Sequence, residues 1–229
     1  MKILSIDTAS NICTVAILEN TTCLKELIVN DARNHSEKIM PLIEQVLAET
    51  HLTLSQIDLI VCNKGPGSFT GIRIGVGTVL AFRDSLNIKC LGISSLEALA
   101  YNVNTNGLVC SLIDAKNNNV YFGLFDRKDN NYFQIGNLEF KTIDEAISLL
   151  KSFNKNLTFV GDGSVSYKNI LSDNFHNCTF CDKNDLSSVS LGIAGYNSFK
   201  ENKQYDDIMP LYLRKSQAER ALEEKGGNN

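Results

Sequence analysis

Three sets of residues in this 229-residue chain have types and spacings that chemistry uses. The first is NKGPGSFTGIRIGVGT, Asn63 to Thr78, with five glycines, one proline and three hydroxyl residues in sixteen positions. Glycine-rich turns between a strand and a helix can cradle a phosphate on backbone N–H groups. A P-loop, though, requires a Lys just after its last glycine, and Lys64 precedes all of these. A dinucleotide fingerprint requires G-x-G-x-x-G; Gly65 and Gly67 are followed by Thr70 in the third place, and Pro66 lacks an N–H. The second set is Asp7, with Thr8, and Asp114, each aspartate ending a short apolar run before a polar turn. There a carboxylate either serves a ligand or caps the turn itself. The third is Cys178 and Cys181, a C-x-x-C without a second pair, which leaves open a zinc or redox module beside the simpler reading of two small side chains near a strand. The three histidines, His35, His51 and His176, never stand three or four residues apart.

The elements around these residues alternate. KILSID, ICTVAIL and CLKELIV predict a three-strand antiparallel meander over the first thirty residues. In NHSEKIMPLIEQVLAETH, Ile39, Leu42, Ile43, Val46 and Leu47 fall at helical spacing, and Asn34 with Glu37 fits a capping box. Pro41 predicts a kink or a later start. IDLIVCN predicts a buried strand leading into the glycine stretch, where Ser68 is placed to cap a second helix. Gly71, Gly75 and Thr78 share one face of that helix, and Phe82 continues it. Glycine lowers helix propensity by about 1 kcal/mol per residue, so such a face implies that something approaches closely, from this chain or from a partner. After the polar stretch 102–107 a second unit opens with LVCSLID and VYFGLFD, then a third strand, a helix capped by Thr142 and Glu145, and LTFVGDGS. Two α/β halves in the same order predict an internal duplication, with domains at 1–103 and 104–229, the second ending in a polar tail.

Composition narrows the function classes. With 43% hydrophobic and 21% charged residues the chain is of ordinary globular make-up. A net charge of −4 disfavours strong nucleic-acid binding by this chain alone, so any nucleic-acid contact is expected to be weak or indirect, with Arg214 and Lys215 as one local basic patch. Seven cysteines, several inside apolar runs, read as reduced thiols. With neither a long apolar run nor a leader pattern, the expected location is cytoplasmic and away from membranes.

Together GPGSFTGIRIG, MKILSIDTAS, HSEKIMPLI, SSLEALA, IDAKNNNVY and MPLYLR, in this order, resemble the TsaB (YeaZ) family over almost the whole chain. The resemblance implies a two-domain α/β fold of the actin-like ATPase (ASKHA) type with ribonuclease H-like halves. It implies a non-catalytic subunit in the synthesis of N6-threonylcarbamoyladenosine at position 37 of tRNAs reading codons that start with A. The partners it implies are a TsaD-type transferase and a small TsaE-type ATPase; self-association without the partner is left open. The implied interface lies on the first two helices: His35, Ile39, Ile43, Leu47, Gly71, Arg73, Gly75, Thr78 and Phe82. On that expectation Leu at Gly71 or Gly75 blocks the partner and spares the fold.

The catalytic relative carries His-x-x-x-His where this chain has Ser95 and Leu99, neither a good metal ligand. In the actin-like fold the first hairpin holds phosphates through a glycine-bearing turn; here it reads DTASN, leaving Asp7, Thr8 and Asp114 as a vestigial nucleotide site. No cofactor and no metal are therefore expected. Where the family has Arg and Glu in the second-half turn, this chain has Lys116 and Asn119. The rival readings are a stand-alone kinase or peptidase on the same fold and the zinc or redox module.

Overall fold

A computed structural model describes residues 1–30, 35–129, 131–153, 155–201 and 208–214. The expected capping residue Asn34 and Lys215 lie outside the described residues, as does most of the polar tail.

The first lobe begins with an antiparallel meander, β1 (Lys2–Asp7), β2 (Cys13–Glu19) and β3 (Thr22–Val29). Then follow α1 (His35–Glu49), β4 (Leu59–Asn63), α2 (Phe69–Leu86), β5 (Lys89–Ile93) and α3 (Ser95–Ala100). β4 and β5 add in parallel to β1, giving the order β3-β2-β1-β4-β5. The second lobe repeats the plan with β6 (Gly107–Asp114), β7 (Asn119–Lys128), β8 (Asn131–Thr142), α4 (Ile143–Leu150), β9 (Leu157–Val160), α5 (Asp162–Ser166), α6 (Lys168–Asn174) and β10 (Thr179–Phe180). Its sheet order, β8-β7-β6-β9-β10, matches the first strand for strand. The duplication read from element order is thus present as topology. Thr142 and Glu145 form the expected capping box at α4.

The inner strands are apolar in unbroken runs because both faces of each sheet are covered. On one face of the first sheet, Leu4, Ile6, Val15, Ile17 and Ile60 pack against Ile39, Ile43 and Val46 of α1 and Ile72, Val76 and Val79 of α2. On the other, Ile3, Ala16, Leu18, Leu59 and Val61 meet the last helix, α7 (Ser188–Lys200). In the second lobe, Leu108, Leu112, Phe122 and Phe159 pack against α4 and Leu171. α3 is wedged between the lobes, with Leu96, Leu99 and Ala100 against Val109, Phe125 and Val160.

α7 crosses the expected division at residue 103. It follows the second sheet in sequence but lies on β1, β2, β4 and β5 of the first. Gly192 and Gly195 permit this: a Cβ on Gly192 would stand 2.5 Å from Leu18, and one on Gly195 would overlap Val61. Ser188 exchanges hydrogen bonds with Thr14, and Ser187 and Val189 donate to Glu26 of β3. No helix among the described residues is long and apolar enough to cross a membrane.

Candidate functional site

The glycine stretch forms the junction from β4 to α2, and four of its five glycines, Gly65, Gly67, Gly71 and Gly75, face inward. Gly67, Gly71 and Gly75 lie on the first hairpin turn. A Cβ on Gly67 would collide with the carbonyl oxygen of Ala9, and one on Gly71 with that of Thr8; on Gly75 it would stand 2.5 Å from Thr8 Oγ1. The turn is hydrogen-bonded to the same segment: Thr8 Oγ1 donates to the Gly71 carbonyl at 2.7 Å, and the Ser68 N–H donates to the Ala9 carbonyl at 2.7 Å. Ser68 caps α2 as expected, accepting from the Gly71 N–H. Gly65 has φ +101°, a conformation that side chains resist, and the Leu211 carbonyl packs beside it.

Behind this junction lies a buried polar relay absent from the expectations. Asp7 Oδ1 accepts from the Ala9 N–H at 2.7 Å and from Asn63 Nδ2 at 3.1 Å. Asn63 Oδ1 in turn accepts from the Gly65 N–H and from Ser95 Oγ, both at 2.8 Å. Asp7 Oδ2 has no hydrogen-bond partner among the described residues. Burial pushes the Asp7 carboxyl up from its ordinary 3.8 to about 6, against the opposing pull of the Ala9 and Asn63 hydrogen bonds. Asn63 is a single Asn at a strand end, and nothing in its sequence context marks it.

Several sequence-derived interface residues are therefore internal. Ile39, Ile43 and Leu47 belong to the first core, because the apolar stripe of α1 is the face that covers its own sheet. Gly71 and Gly75 serve close packing on Thr8, so the expectation that Leu there spares the fold is overturned. Phe82 is half-buried against the same core, and Thr78 donates to the Ile74 carbonyl. Arg73 is exposed, with Nε 3.0 Å from the Tyr212 hydroxyl. His35 opens α1, and its side chain lies outside the described residues. The outward stripes are different ones: Met40, Pro41, Glu44 and Ala48 on α1, and Arg73, Gly77 and Ala81 on α2. A Cβ added to Gly77 would meet nothing within 4 Å.

Between the lobes is a cleft of about 580 Å³. Ala9 to Ile12 and Pro66 to Ser68 line it from the first lobe, and Asp114 to Lys116, Asp162 and Asn184 to Leu186 from the second. Of the expected vestigial set only Asp114 lines it. Asp7 and Thr8 are each 1% exposed and lie beneath the turn, covered by α2. Asp114 Oδ2 pairs with Lys116 Nζ at 2.6 Å, and its Oδ1 accepts the Lys116 N–H. Burial opposes ionisation of Asp114, but these Lys116 contacts outweigh it and hold the carboxyl below its usual range. Lys116, Asn117 and Asn118 all take positive φ, and Asn119 Nδ2 closes the turn on the Lys116 and Asn117 carbonyls. Asp162, not singled out in the sequence, accepts the Asp114 N–H at 2.9 Å.

Ser95 and Leu99 are both buried. Ser95 is tied to Asn63 and to the Pro66 carbonyl, while Leu99 packs between the lobes. The C-x-x-C flanks β10, and its two sulfurs part company: Cys178 packs with the second-lobe core and Cys181 with the cluster between the lobes. Side chains three apart along a strand point to opposite faces, which separates the two thiols. Burial raises the Cys178 thiol above its ordinary range. Among the described residues no group of three or more His, Cys, Asp or Glu side chains is placed to hold a metal ion.

A family model described as "TsaD: tRNA N6-adenosine threonylcarbamoyltransferase" matches residues 23–222. The chain is 30% identical over 223 residues to the tRNA threonylcarbamoyladenosine biosynthesis protein TsaB of Bacillus subtilis (strain 168), covering 96% of each. It is 30% identical to the protein of the same name from Haemophilus influenzae, over 93% of this chain and 94% of that one. Among solved structures, a Pseudomonas aeruginosa protein described as similar to peptidase YEAZ superposes with a TM-score of 0.78 at 24% identity, over 93% of this chain and 99% of that one. That likeness, with the two matching sheets, gives a two-domain α/β fold shared with the YEAZ-like structure.

Proposed function

Since the chain belongs to the TsaB (YeaZ) family and so acts in tRNA threonylcarbamoyladenosine biosynthesis, we propose that it does so as an accessory subunit without a catalytic centre of its own. The reaction it supports is formation of N6-threonylcarbamoyladenosine at position 37 of tRNAs reading codons that start with A. It binds a TsaD-type transferase, a TsaE-type ATPase joins the pair, and the assembly works in the cytoplasm.

The observation that carries this reading is what stands at positions 95 and 99. A resident metal would need two ligating side chains one helical turn apart. Here Ser95 spends its hydroxyl on Asn63 and Pro66, and Leu99 spends its side chain on the seam between the lobes. The hairpin turn itself carries no glycine at 7–11, and α2 closes one side of it, with Gly67 and Gly71 packed against the Ala9 and Thr8 carbonyls.

For docking, the outward faces of α1 and α2 fit a pair of helices from the partner. Met40 is 42% exposed, and Gly77 and Ala81 offer a shallow strip where a backbone can come close. Arg214 is occupied at the Ala115 carbonyl and over Phe140, which leaves little basic surface there for tRNA.

Reconstitution tests the reading: tRNA modification by the TsaD-type and TsaE-type subunits, with and without this chain. Equal modification in its absence overturns the accessory role. Gly77→Arg tests the docking strip; the expected result is a loss of partner binding of roughly 30-fold or more with a melting temperature that does not fall. Unchanged binding moves the interface elsewhere.

A further inference from the structure

Residues 208–214, IMPLYLR, run without helix or strand and touch both lobes within seven positions. Ile208 is 2% exposed in the first-lobe core. The Leu211 N–H donates to the Lys64 carbonyl at 2.7 Å, and its own carbonyl lies against Gly65. Tyr212 stacks on Phe69, with ring centroids 4.6 Å apart and planes 11° apart, and its hydroxyl accepts from Arg73. Leu213 joins the apolar cluster between the lobes. Arg214 then reaches the second lobe: Nη1 donates to the Ala115 carbonyl at 3.0 Å, and the guanidinium lies 4.8 Å from the centre of the Phe140 ring.

The places it grips are the lips of the cleft. Lys64, Gly65 and Phe69 bracket Pro66, Gly67 and Ser68, which line the first lip; Ala115 is itself on the second, beside Asp114 and Lys116. α3 joins the lobes deep in the seam, whereas this segment joins them at the rim. A deep join alone leaves two lobes free to hinge about it. We propose that residues 208–214 are a clasp that fixes how far apart the cleft lips stand.

A clasp differs from local packing in one measurable way: loosening one end must loosen the lobe at the other end. Native-state hydrogen exchange on the full chain reads this directly. With Tyr212→Ala, which removes the first-lobe anchor nearest the crossing, amides 115–119 of the second-lobe turn are expected to exchange roughly fivefold faster or more. With Arg214→Ala, the same is expected of amides 64–69. The double variant is expected to add little to either single one, because both cut the same link. If either alanine variant unfolds, Tyr212→Phe and Arg214→Lys carry the same test with smaller shifts. Core amides of β4 and β9 report whether the fold is intact. Acceleration confined to the lobe that lost its own contact, with an intact core, overturns the clasp.

Discussion

The two lobes close the same strand end in opposite ways. β1 and β6 hold the same place in matching sheets, and each ends in an aspartate before a turn. The next parallel strand of each lobe leads into a related junction, Gly-Pro-Gly-Ser at 65–68 and Gly-Asp-Gly-Ser at 161–164, and the first glycine has φ +101° in one and +99° in the other. In the first lobe the junction and the glycine face of α2 close over the turn. Asp7 is buried, and its carboxyl is pushed up to about 6. In the second lobe the glycines pack on Leu112, two residues before the aspartate and not after it, and the turn stays open. There Lys116 reaches Asp114 and holds it ionised. Identical topology fixed where each carboxylate stands, and what covers the turn decided how readily it ionises.

Several substitutions would break or sharpen that contrast. The largest effect belongs to the glycine cover. Gly71→Ala would set a methyl group on the Thr8 carbonyl, and a loss of stability of about 3 kcal/mol or more is expected in chemical denaturation. Gly77→Ala, two turns along and open to solvent, should instead gain about 0.5–1 kcal/mol. Equal effects at the two sites would mean that α2 does not rest on the turn.

Next comes the buried carboxylate. The folded state holds the Asp7 proton more tightly than the unfolded chain does. Its contribution is therefore full below about pH 4 and falls away as pH rises through about 6. The loss is on the order of 2–3 kcal/mol across that window. Asp7→Asn should flatten this part of the stability profile and leave the protein more stable near neutral pH, as urea titrations at several pH values would show. A slope that survives the substitution places the titrating group elsewhere.

The smallest effect is expected in the second lobe. Lys116→Ala removes a pair whose lysine is 80% exposed, and the melting temperature should move little. The change is expected in the Asp114 carboxyl, which should titrate at higher pH when followed by NMR. A large stability loss would show that the open turn is as structural as the covered one.

How much of this was legible in the sequence depended on whether the signal was local. The strand runs, the duplicated order, the Ser68 cap and the Thr142–Glu145 box were readable because period and capping act over a few residues. So was the glycine face of α2 as a place of close approach. What approaches it was not readable, because Thr8 lies 63 residues before Gly71 in the chain. The same limit bears on the expected interface residues. An apolar stripe such as Ile39, Ile43 and Leu47 says that a face is covered but not by whom, and here its own sheet covers it. Asn63 and Asp162 escaped notice for the same reason, and MPLYLR was visible as a block without its contacts: the partners are distant and the residue types are ordinary.

The position of α7 bears on how this chain is made. A ribosome that has released the first hundred residues has produced a five-stranded sheet with Ile3, Ala16, Leu18, Leu59 and Val61 still uncovered on one face. The helix that covers them begins at Ser188, after the whole second sheet. The first lobe thus begins folding first and finishes last, and a nascent chain stalled before residue 188 presents a sticky apolar surface. Truncation from the C-terminus should therefore unravel the lobe at the opposite end of the sequence.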